Sequence, residues 1–221
     1  MTRNVKTSLV IVAVVAAVIM AAALADGPAT PGGQGPQVTD TANPALVRPD
    51  SHRLSTATDG KVTVVEFLDF ECEACGATYP TVEKIRAAYA DRITFVVRYF
   101  PVASHPNAEL AARAVEAAAR QGKFEAMYGL MFQRQTQWGH QDGKPQTDTF
   151  AGYARELGLD LDRFALDLQD PEVAERVAAD QRDGATLGVR GTPTFFINGT
   201  PIDGLPDHAT FVALLDEELA R

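Results

Sequence analysis

With 221 residues, 46% of them hydrophobic, the chain can pack one core: an ordinary domain or a domain carrying an insertion. A formal net charge of −9 excludes nucleic acid as an expected partner, because phosphate binding needs a basic face. Plain solubility accounts for the acidity.

Arg3 and Lys6 precede an uncharged run from Thr7 to Ala25, apolar throughout from Leu9 to Leu24. Residues 1–25 are therefore expected to be a transmembrane anchor or a signal peptide. Ala23-Leu24-Ala25 fits the small-residue rule for cleavage. The run is long for a signal core and just long enough to span a bilayer, which tips the reading towards a retained anchor. In either case the positive flank stays inside and the remainder goes out. A buried core helix would need a polar face, which this run lacks. Residues 26–51 are rich in Gly and Pro and read as a disordered tether, reaching roughly 25–30 Å as a flexible coil.

His52 to Thr56 suggests a short strand, and Asp59-Gly60 a turn. Val62, Thr63, Val64, Val65 and Phe67 favour a buried strand. Apolar residues from Glu71 to Ala90 then follow helical spacing, with a kink expected at Pro80. Arg92 to Val102 is a second strong strand, and the helix between the two makes them parallel. From Ser104 to Val189 the pattern is helical. Asp170-Pro171-Glu172 is a helix start, and Trp138 reads as a loop residue, either packed or lining a substrate surface. Thr192-Pro193 leads into Phe195-Phe196-Ile197, an Asn198-Gly199 hairpin turn and a last helix after Pro206-Asp207.

The chemistry concentrates at Cys72-Glu73-Ala74-Cys75, which holds the only two cysteines of the chain. They lie where a strand hands over to a helix, and the unpaired N–H groups of a helix start favour a thiolate. A second sulfur three residues on lies on the same face and can close or resolve a disulfide. A purely structural staple is a weak alternative, since so small a loop gives about 2 kcal/mol. Half a zinc site is another, but His52, His105, His140 and His208 are scattered without finger-like spacing. Glu66, on the strand leading into the dithiol, is a candidate buried proton acceptor for Cys75. Its alternative is a side chain pointing to solvent at a sheet edge.

The chain resembles the DsbA-like branch of the thioredoxin fold over roughly His52 to Arg221. The resemblance rests on the dithiol after a strand, on Glu66, on Thr192-Pro193 before a hairpin and on the helical block between. It also rests on Arg98-Tyr99-Phe100-Pro101, His105-Pro106-Asn107-Ala108 and Gln121-Gly122-Lys123-Phe124. It implies an α/β thioredoxin fold, β-α-β … β-β-α, over residues 52–221. An all-helical insertion, about 104–189, is expected between the second strand and a cis-Pro loop. Cys72 would be the exposed nucleophile and Cys75 the buried resolving thiol. Pro193 would lie against the disulfide and leave the Thr192 backbone free to pair with an extended substrate.

The implied activity is extracytoplasmic thiol–disulfide exchange with exported proteins, in the direction of disulfide formation. It needs no cofactor and no metal, and a membrane redox partner would reoxidise the dithiol. A reductase or isomerase of the same fold is the alternative, and a tethered non-catalytic binding module is a third reading. Strongly oxidising members of this branch carry Pro-His between the cysteines. The Glu73-Ala74 pair here, with Glu71 and Asp69 nearby, implies a higher Cys72 pKa and a less oxidising potential than such a site gives.

Overall fold

The computed structural model describes residues 43, 45–140 and 143–221. The expected membrane or signal segment, residues 1–25, lies outside them. Five strands form one sheet: β1 (His52–Ser55), β2 (Thr63–Leu68), β3 (Thr94–Tyr99), β4 (Thr194–Ile197) and β5 (Thr200–Pro201), in the order β1-β3-β2-β4-β5. β2 is central, parallel to β3 and antiparallel to β4. Its two neighbours leave no edge, and all six of its residues are buried. That is why the run reads as apolar on both faces apart from Thr63 and Glu66, instead of alternating.

The alternation survives in which face each residue supplies. Val64 and Leu68 join the main core with Val82 and Ile85 of α1 (Glu73–Ala88) and with Phe211 and Leu215 of α8 (His208–Ala220). Val65 and Phe67 join a smaller core on the other face with Leu46, Val96, Val189 and Phe196. By the two-residue period, Glu66 points with Val64 and Leu68 towards α1. The helix α1 runs unbroken through Pro80 and buries Cys75, Thr78, Val82 and Ile85 at helical spacing.

Six helices separate β3 from β4: α2 (Ala108–Ala119), α3 (Phe124–Gln133), α4 (Gln135–Trp138), α5 (Thr147–Glu156), α6 (Leu161–Gln169) and α7 (Pro171–Thr186). The alanines of α2 are almost all buried, which lets α3, α6 and α7 pack closely around it. Asp170 caps α7 through Glu172 N–H, with Pro171 in the first turn, as its sequence requires. Asn198 and Gly199 both have positive φ, 46° and 84°, the backbone that a two-residue hairpin turn demands.

Three expectations change. The strand read from Arg92 to Val102 is confined to Thr94–Tyr99. Trp138 belongs to a helix and not a loop, and of its two readings the packed one holds: it is fully buried in α4, edge-on to Phe150, and its Nε1 donates to the Met131 carbonyl. Of the tether read over residues 26–51, residues 26–42 and 44 lie outside the described residues, and residues 45–51 belong to the folded domain. Arg98 is wholly buried, and its Nη1 donates to the carbonyls of Ala45 at 2.8 Å and Leu46 at 2.5 Å. Arg98 also pairs with Asp180 and Asp183, and Asp183 in turn holds Arg48. A buried guanidinium must find acceptors for its N–H groups, and the incoming chain supplies two of them.

Candidate active site: the Cys72–Cys75 turn

β2 ends at Leu68, and four residues later the chain enters α1 with Cys72 as its N-cap (φ −68°, ψ 120°). The Cys72 N–H donates to the Asp69 carbonyl, and the Cys72 carbonyl accepts from Gly76 N–H at 3.1 Å. The two cysteines lie 3.9 Å apart and both are free thiols. Cys72 is 8% exposed and Cys75 1%, so the sulfur expected to be exposed is only slightly open.

The Thr192–Pro193 peptide is cis. It sits beside Cys72 because β4 pairs antiparallel with β2, Thr194 opposite Phe67, so the residues before β4 arrive at the end of β2 where the dithiol begins. The thiol of Cys72 is 3.2 Å from the Thr192 carbonyl, which accepts its proton.

These surroundings split the two thiols. Hydrogen bonding from the Cys75 thiol brings Cys72 down to about 5, against the upward push of burial. The Thr192 side chain and the N–H groups of Cys75 and Ala74 add to the lowering. The latter are first-turn donors of a helix, which have no carbonyl of their own to serve. Cys75 goes the other way: burial first, then its bond to Cys72 and the nearby Glu66 charge, push it well above an ordinary thiol.

Glu66 is 2% exposed on the central strand, which removes the sheet-edge alternative. Burial, with the Glu83 charge, pushes its carboxyl up to about 8, Arg86 opposing. At neutral pH it is mostly the neutral acid, and its Oε2 has no hydrogen-bond partner among the described residues. It thus places a largely neutral carboxyl on the sheet face that packs against α1, close enough for its charge to weigh on Cys75.

The acids expected to weigh on the thiolate are engaged elsewhere. The buried Asp69 accepts from Glu71 N–H, Val102 N–H and His105 Nδ1. Glu71, also buried, accepts from Asn107 N–H at 2.5 Å and His140 N–H at 3.1 Å. Both pin loops of the helical insertion to the redox turn, and neither is among the main influences on Cys72. Glu73 is open to solvent. The sequence shows three acids within four residues of Cys72 but not the direction in which each points. It gives no signal for Gln135 of α4, whose amide reaches the Phe70 and Cys72 carbonyls.

A thioredoxin family model matches residues 53–217. A Na+/H+ antiporter NhaA of Herminiimonas arsenicoxydans is 38% identical over 170 residues, which are 77% of this chain and 26% of that protein. The chain spans about a quarter of the length of the curated relatives it matches. Among solved structures, a thioredoxin-like oxidoreductase from Silicibacter pomeroyi DSS-3 is 28% identical with a TM-score of 0.68, covering 81% of this chain and 99% of that one. The α-DsbA1 protein of Wolbachia pipientis is 18% identical with a TM-score of 0.71, covering 79% and 94%. The chain belongs to the thioredoxin family. Its fold is that of the DsbA-like thiol–disulfide oxidoreductases.

Proposed function

We propose that the chain is an extracytoplasmic thiol oxidase that passes a Cys72–Cys75 disulfide to cysteines of exported proteins. A substrate thiolate attacks Cys72 Sγ. The Cys72–Cys75 bond breaks, a mixed disulfide forms at Cys72, and Cys75 departs with the electron pair. Neutral Glu66 supplies the proton that this poorly acidic thiol requires. A second substrate thiol then attacks the substrate sulfur and displaces Cys72 as a thiolate. The substrate has lost two electrons and the dithiol has gained them. A membrane redox partner is the proposed route by which they leave.

The observation that supports this direction is the acidity of Cys72, at about 5. A low-pKa sulfur is a good leaving group, and a stabilised thiolate favours the reduced form of the protein, hence oxidation of the substrate. The Thr192 carbonyl and the cis-Pro193 turn beside Cys72 suit an extended substrate strand laid across the disulfide. Placement outside the cytoplasm rests on the charged and then apolar stretch of residues 3–25. No antiport is assigned to the chain, since the matched relatives extend far beyond the shared segment.

The test is thiol trapping of Cys72 and Cys75 in cells, paired with an assay in which a reduced secreted protein is reoxidised. A disulfide at rest, and loss of the assay activity in Cys72→Ser, are expected. A dithiol at rest would make the protein a reductase or isomerase. Full activity in Cys72→Ser would leave a binding module.

A further inference from the structure

Gln135 opens α4 in the helical insertion, far in sequence from the dithiol, and is 8% exposed. Its Nε2 donates at 2.8 Å to the Phe70 carbonyl and at 2.8 Å to the Cys72 carbonyl. One –NH2 group thus bridges two carbonyls on either side of Glu71, at the corner where β2 gives way to α1. The same amide occupies the space beside Gly76. A Cβ built on Gly76 would stand 2.0 Å from Gln135 Oε1 and 2.7 Å from its Cδ. A carboxamide at 135 and a missing side chain at 76 are therefore two halves of one fit.

The Cys72 carbonyl has two donors, Gln135 Nε2 and Gly76 N–H, which together fix the plane of the peptide leaving Cys72. That peptide opens the first turn of α1, from which the N–H groups of Ala74 and Cys75 follow, and those groups favour the Cys72 anion. We infer that Gln135, held against Gly76, is a positioning residue for the Cys72 thiolate, so that the helical insertion tunes the redox turn through one buried amide. The inference rests on the reading of Cys72 and Cys75 as an exchange site.

Gln135→Met keeps the length of the side chain and removes both donors. Gly76→Ala leaves Gln135 in place and evicts its amide. Each is expected to raise the Cys72 pKa by about one unit, a tenfold change in its ionisation constant, and to lower the reduction potential by about 30 mV. In a Gln135→Ala background, Gly76→Ala has nothing to evict and is expected to add no further shift. The readouts are the pH dependence of Cys72 alkylation and the equilibrium with glutathione, both on the folded full chain. An unchanged Cys72 pKa and potential in Gln135→Met and Gly76→Ala would overturn the inference. So would shifts from Gly76→Ala and Gln135→Ala that simply add. Should Gln135→Met not fold, the Gly76→Ala and Gln135→Ala pair still decides. A parent protein whose Cys72 titrates as an ordinary thiol would instead remove the exchange site itself.

Discussion

The carbonyl oxygen of Thr192 stands 3.2 Å from the sulfur of Cys72, across 120 residues of chain. The Thr192 hydroxyl is buried, has no hydrogen-bond partner among the described residues, and is placed to favour the Cys72 anion. Thr192→Val keeps the carbonyl and removes only the hydroxyl. Cys72 should then titrate up to about one unit higher, the worth of one net hydrogen bond. The pH profile of Cys72 alkylation measures this, and thermal stability should change little.

Glu66 has a folded pKa of about 8 against an ordinary value of 4.5. The unfolded chain therefore loses this proton first as pH rises, so burial of Glu66 costs stability progressively from about pH 4.5 to about pH 8. The slope is about 1.4 kcal/mol per pH unit across that window and vanishes below it. Glu66→Gln should remove the slope and leave the protein more stable at neutral pH, by urea unfolding at several pH values. The same substitution removes the proton source for Cys75. The rate at which a substrate thiol opens the disulfide should drop by roughly a hundredfold. Greater stability together with slower exchange is a pairing that a merely structural Glu66 would not give.

Much of this was legible in advance. The strand before the dithiol, the parallel β2–β3 pair, the hairpin turn and the capped start of α7 all follow from local residue chemistry. The two cysteines carry their own signal. What sequence could not supply is direction. Asp69 and Glu71 look like charges crowding Cys72, yet both turn away to bind backbone N–H groups of the insertion. Gln135 and Gly76 meet only because the chain folds α4 back onto the redox turn. Residues 45–51 have the composition of a tether and are held by contacts distant in sequence: Arg98 takes the Ala45 and Leu46 carbonyls, Asp183 holds Arg48, and the Leu46 side chain is buried.

That last relationship has a measurable consequence. Arg98 is fully buried with Asp180, which is itself fully buried. Arg98→Leu would leave that carboxylate with only Arg176 and the Tyr99 N–H as partners and would loosen residues 45–51, at a cost of up to about 3–5 kcal/mol. Chemical denaturation reads the loss. A chain that begins at residue 52 should be less stable than one that begins at residue 43, because it lacks the carbonyls of Ala45 and Leu46 and the buried Leu46 side chain.

Ala74 lies within the turn, and its N–H already serves Cys72. An imidazolium there adds a full positive charge beside the thiolate. Ala74→His should lower the Cys72 pKa further and raise the reduction potential, about 30 mV for each tenfold in the exchange equilibrium. Unchanged values of both would mean that the sulfur does not sense charge at position 74.

The most direct measurement is the titration of Cys72 in the intact dithiol protein, followed by the pH dependence of its alkylation. Half-reaction near pH 5, with Cys75 unreactive well above neutrality, is the expected result. A midpoint near 8.5, that of a free cysteine, would contradict a thiolate held by the start of α1 and the Thr192 turn.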